Sequence, residues 1–111
     1  MTREEALAAL TARPVPFKEE GLDVCLRPLR AGEVQEAKEF DKTHPGGFYQ
    51  FLFVRSVCDA DGTRLFADAD AAMVADFPAA AVEAVTGRVL KLNRMDKDPD
   101  PGKAPSPATP N

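Results

Sequence analysis

The sequence predicts a mainly helical α+β fold: a short N-terminal β-hairpin packed on a small helical bundle, followed by a disordered C-terminal tail. Three observations carry that expectation. Apolar residues alternate with polar ones from Val15 to Leu29, which is strand periodicity. Val82, Val85, Val89 and Leu92 recur at three- and four-residue steps, which is helix periodicity. Between them, Val57 to Phe77 holds turn residues, a helix start and apolar anchors, and the densest apolar run of the chain, Phe48 to Cys58, lies just upstream of that turn. That block reads as a corner, with one apolar helix entering and an amphipathic helix leaving.

The elements follow in order. Thr2 suits an N-cap with Glu4 and Glu5 in the first turn, and Leu7 and Leu10 share one face before Pro14 ends the helix. So short a helix needs docking to be stable. In the hairpin, Glu19-Glu20-Gly21 forms the turn, with Gly21 at positive φ. Leu22, Val24 and Leu26 face the core and Cys25 the other side, while Pro16 and Pro28 suggest short edge strands. A lone hairpin is marginal in water, so helices must cover it.

A helix with a thin apolar stripe is expected from Glu33 to Lys42, broken by Thr43-His44-Pro45-Gly46-Gly47. Phe48 to Val57 reads as a helix, with a strand as the competing reading because Phe, Tyr and Val favour strands. Asp59-Ala60-Asp61-Gly62 is turn chemistry. Asp68 then suits an N-cap and Asp70 the first turn, and Met73, Val74 and Phe77 follow at helical spacing until Pro78. Ala79 to Asn93 is the strongest helix; Gly87 inside it is a place where another backbone could approach closely. From Asp96 to Asn111 the chain has five of its ten prolines and no large apolar residue, so nothing offsets its ordering entropy. One globular domain over 1–95 and a Pro-rich tail over 96–111 result.

With 111 residues, 44% hydrophobic composition, net charge −4 and pI about 4.9, the chain has the makings of a modest core and no basic footprint for nucleic acid. The N-terminus, Met-Thr-Arg-Glu-Glu, lacks the apolar region of a signal peptide, and no apolar run approaches the roughly twenty residues of a membrane span. Cys25 and Cys58 make no disulfide framework and read as two reduced thiols of a cytosolic protein. His44, the single histidine, sits in a Pro-Gly-Gly loop, and one His with two distant Cys falls short of a zinc ligand set. Asp59-x-Asp61-Gly62 starts like a calcium loop but has Gly at the fourth position instead of the sixth and Asp70 instead of Glu at the twelfth. Gly46-Gly47 lacks the Lys-Ser/Thr of a phosphate loop. No catalytic, cofactor-binding or metal-binding residues emerge, and the chain is expected to work by presenting surface. The aromatic run Phe48, Tyr49, Phe51, Phe53 is either core alone or core plus a partner face, since these rings cannot all point inward from one helix.

Val57-Cys58-Asp59-Ala60-Asp61-Gly62-Thr63-Arg64-Leu65-Phe66, followed by Asp68-Ala69-Asp70, resembles the V-x-D-x-D-G-x-x-L-F-x-x-x-D block of the tail assembly chaperones of long-tailed bacteriophages. Arg27-Pro28-Leu29-Arg30-Ala31-Gly32-Glu33 is similar to that family's R-x-L-x-x-x-E step into a helix, and Leu90-Lys91-Leu92-Asn93 to its closing L-N. The resemblance runs from Gly21 to Asn93 in the family's order. It implies a non-enzymatic assembly factor that works in the host bacterial cytoplasm, binds and solubilises the tape measure protein, and is absent from the mature virion. It further implies recruitment of tail tube subunits through a frameshift-extended form, with Pro101-Gly102-Lys103 as the place where a slippery heptamer encoding Gly-Lys would fall. Self-association is compatible with such a role. Phe48, Phe51 and Leu52, or the outer face of the helix carrying Val82 and Val89, are the expected contact surface. A small structural tail-completion or head–tail connector protein is the alternative.

Overall fold

In the computed structural model, residues 1–11 and 13–95 are described. The expected tail and its slip site lie outside them. The elements are α1 (Arg3–Leu10), β1 (Val15–Glu19), β2 (Leu22–Leu26), α2 (Ala31–Thr43), α3 (Phe48–Ser56), β3 (Val57–Cys58), a 3₁₀ helix (Asp68–Asp76) and α4 (Ala79–Leu92). The mainly helical α+β architecture is as the sequence predicts.

The hairpin closes through a two-residue turn in which both Glu20 and Gly21 have positive φ, 54° and 81°, the conformation that matches the twist of the flanking strands. Its register pairs Val15 with Leu26 and Phe17 with Val24, so the apolar set shares one face and Phe17 and Leu26 are buried. The hairpin is not alone. β3 adds antiparallel to β2, which makes β2 the central strand of a three-stranded sheet. Pro16 therefore does sit on an edge strand, whereas Pro28 lies past the end of a central one. Two residues are too few to show a period, so β3 had no signal in the sequence.

α3 is the centre of the molecule. Phe51, Leu52, Phe53, Val54 and Ser56 are all buried, because α2, the 3₁₀ helix and α4 pack around it. A helix apolar on nearly every side is stable only when covered in this way. Its helical state settles the competition with a strand. Gly47 precedes it in a space that only glycine fits: a Cβ there would come within 2.6 Å of the Phe40 ring and 2.8 Å of the His44 carbonyl oxygen. Asp41 reaches across the break and accepts from the N–H groups of Gly46 and Phe48, at 3.2 and 3.3 Å.

The segment after the corner departs from expectation. It is a 3₁₀ helix, and Asp68 is its first residue rather than its cap. The Asp70 carboxylate accepts from the Ala67 N–H at 2.8 Å, while Asp68 is held by two arginines. Three residues per turn place Ala71, Val74 and Phe77 in one line, and Ala71 and Val74 are buried. Met73, assigned to that face by α-helical spacing, is 46% exposed instead.

α4 buries Val85 and Val89, with Val82 and Leu92 packed at the core's edge. Nothing lies within 4 Å of a Cβ built on Gly87, which is exposed, so no backbone approaches there. Gly87→Ala is accordingly expected to stabilise the fold by about 1 kcal/mol, since alanine fits the helix and restricts the unfolded chain. A rise of a few degrees in the melting temperature checks it. α1 also differs from expectation. The Thr2–Glu5 capping box forms, with Thr2 N–H donating to Glu5 at 2.8 Å, but no residue of α1 is buried and Leu10 is 79% exposed.

Candidate functional site

The corner is built from charged residues as well as apolar ones. Asp59 organises the turn: its carboxylate accepts from the N–H groups of Asp61 and Thr63, at 2.9 and 3.0 Å, and its carbonyl accepts from Gly62. Its oxygens thus serve backbone donors, as in an Asx turn. The turn returns Arg64 beside Cys58 and delivers the chain to the 3₁₀ helix.

Three guanidinium groups and three carboxylates meet at this corner. Arg27, just past β2, makes a bidentate pair with Glu33 in the first turn of α2, at 3.0 and 2.6 Å. Arg55 of α3 is the hub. It makes a bidentate pair with Asp68, at 2.8 and 3.0 Å, and donates to Glu33 at 3.0 Å and Glu36 at 2.8 Å. Its guanidinium lies 4.4 Å from the centre of the Phe51 ring. Arg64 closes the set on Asp68 at 2.7 Å and on the Val54 carbonyl at 3.1 Å. Arg27 and Glu33 are buried.

Burial alone would push the Glu33 carboxyl up. Hydrogen bonds from Arg27, the Arg30 N–H and Arg55 outweigh it and hold the group at about 2. Asp68 is held below the usual carboxylate range, chiefly by Arg55, and Arg55 is raised in turn by Asp68. The network is a clasp that ties the β2–α2 connection, α3 and the 3₁₀ helix together. A cleft of about 490 Å³ is lined by the arginines and glutamates of the clasp together with Arg30 and the Gly32 backbone.

Two residues of the sequence resemblance meet in the clasp. Arg27 and Glu33 are the ends of the R-x-L-x-x-x-E step, and they are each other's partners. The middle residue, Leu29, donates its N–H to Asn93 Oδ1 at 2.9 Å, and Asn93 also donates to the Val89 carbonyl at 2.7 Å. The step into α2 and the L-N end of α4 are therefore joined in space. The hub, Arg55, carries no signal in the sequence, where it stands with Gln50 and Ser56 as a polar residue of an otherwise apolar helix.

The five expected contact residues separate. Leu52 and Val89 are wholly buried and Phe51 nearly so, which places all three in the core. Phe48 and Val82 are half-buried at its margin. The exposed ring of the aromatic run is Tyr49, at 50%, packed edge-on against Phe48 with ring centres 5.4 Å apart. His44 is exposed and stacks on Phe40 at 4.1 Å. Among the described residues no group of three or more His, Cys, Asp or Glu is placed to hold a metal ion, and no helix is long and apolar enough to cross a membrane.

No family model matches this chain, and no curated protein matches it. Among solved structures, the tail assembly chaperone of bacteriophage HK97 is similar, with a TM-score of 0.59 and 19% sequence identity. The likeness covers 82% of this chain and 98% of that one. At this identity the similarity is one of architecture, and it spans nearly the whole of the other protein: this chain has the fold of a phage tail assembly chaperone.

Proposed function

We propose that the chain is a non-enzymatic phage tail assembly chaperone that binds and solubilises the tape measure protein in the host cytoplasm and helps recruit tail tube subunits. The observation that carries this reading is the fold similarity over almost the full length of the HK97 chaperone. Independent support comes from the Arg27–Glu33 pair and the Leu29–Asn93 bond, which give structural roles to sequence pieces that resemble the family. Exposed Tyr49 beside half-buried Phe48 offers aromatic anchors of the kind that hold an apolar helix. The net charge of −4 keeps a client-bearing complex soluble by mutual repulsion.

Co-expression with the tape measure protein encoded nearby, followed by pull-down and a solubility assay, tests the reading. Solubility of the tape measure only in the presence of this chain, with the chain missing from mature particles, is expected. Absence of interaction together with presence in virions makes it a structural tail component instead. Phe48→Asp and Tyr49→Asp are expected to abolish the pull-down while circular dichroism is unchanged. Loss of the helical signal in Phe48→Asp alone would assign that ring to the core and leave the contact to Tyr49.

A further inference from the structure

We propose that Cys25 and Cys58 are a redox pair, closing to a disulfide between β2 and β3 in the presence of a low-molecular-weight disulfide such as oxidised glutathione. The two cysteines are 33 residues apart in sequence but directly opposite one another in the antiparallel register. Residues so paired have Cα atoms about 4.5–5.5 Å apart, inside the roughly 4.4–6.8 Å that a disulfide spans. They also project from the same face of the sheet, because direct partners always do. The Cys58 side chain already reaches its partner residue: its Sγ–H donates to the Cys25 backbone carbonyl oxygen at 3.5 Å. Both are free thiols.

The two sites differ in access, which sets the order of events. Cys25 is half-buried and Cys58 fully buried, and burial pushes the Cys58 thiol up. Cys25 is thus the thiol an oxidant reaches. Its thiolate attacks one sulfur of oxidised glutathione and releases a glutathione thiolate, leaving a mixed disulfide on Cys25. Cys58 then loses its proton and attacks the Cys25 sulfur, expelling the second glutathione. Two thiols are oxidised, one small disulfide is reduced to two thiols, and the protons end on glutathione. The product ties the central strand β2 to β3, the short strand into which α3 runs. This inference does not depend on the tail-assembly reading.

The test uses the full reduced chain incubated with oxidised glutathione and measured by intact mass and thermal melting. The expected product is a monomer lighter by two hydrogens, with a peptide joining Cys25 to Cys58. Its melting temperature should rise by roughly 5–10 °C and return with dithiothreitol. In Cys58→Ser the reaction should stop at one glutathione on Cys25, and in Cys25→Ser the buried thiol should stay unmodified. A stable glutathione adduct on the native chain, a disulfide-linked dimer, or no change of mass would each overturn the proposal.

Discussion

Glu33→Ala is expected to lower the unfolding free energy by about 3–5 kcal/mol. Removing one partner of a buried ion pair leaves the other charge without compensation. Here Arg27 would remain buried with its carboxylate gone, and Arg55 would lose one of its three acidic partners. The Arg30 N–H at the start of α2 would lose its acceptor as well. For a domain whose total stability is about 5–15 kcal/mol, that loss brings many molecules to the edge of unfolding. Denaturant melts of the two proteins measure it directly. The same residue gives a pH signature. A carboxyl lowered from 4.5 to about 2 contributes stability that is fully present above pH 4.5 and is lost as pH falls through 2. Between those values the native chain should lose about 2–3 kcal/mol through this group, while Glu33→Ala should show a flatter acid limb. A limb of equal steepness in both would show that Glu33 is not the group responsible.

Leu52→Ala is expected to cost about 3–4 kcal/mol. Leu52 is wholly buried in α3, where three helical segments pack around it, so truncation removes apolar contacts and leaves a cavity that rigid neighbours fill only in part. The effect also separates core from contact surface. If Leu52 acts through the core, the variant loses stability in proportion to its melting shift and loses client binding only as it unfolds. Tyr49→Ala, at an exposed position, should leave the melting temperature within about 2 °C and weaken client capture at every temperature. Equal stability of Leu52→Ala and the native chain would overturn the placement of α3 at the centre.

Much of the fold could be read from local signals. The hairpin turn, the Thr2 cap, the Asp59–Gly62 turn and the α4 stripe each have a short-range cause: positive φ at Gly21 and Gly62, a side-chain oxygen near backbone donors, or apolar residues at helical steps. Such causes act within a few residues, and the sequence prints them. The order of three short motifs was legible for the same reason, and it pointed to the architecture that the HK97 comparison supports.

Other features depended on residues far apart. β3 exists because β2 lies beside it, and two residues have no period to read. Asp68 was expected to cap a helix, but Arg55 and Arg64 are stronger partners than a backbone N–H, and their proximity is a product of folding. The 3₁₀ geometry aligns Ala71, Val74 and Phe77 against α3, an advantage that appears only once α3 is in place. Composition and periodicity by themselves determined the class of fold and the local turns. Packing around α3 decided which aromatic rings are core and which face outward, and the pairing of β2 with β3 placed Cys25 opposite Cys58. The physical reason is range: capping, turns and periodicity are settled between near neighbours, whereas burial and ion pairing are settled by whatever the folded chain brings alongside.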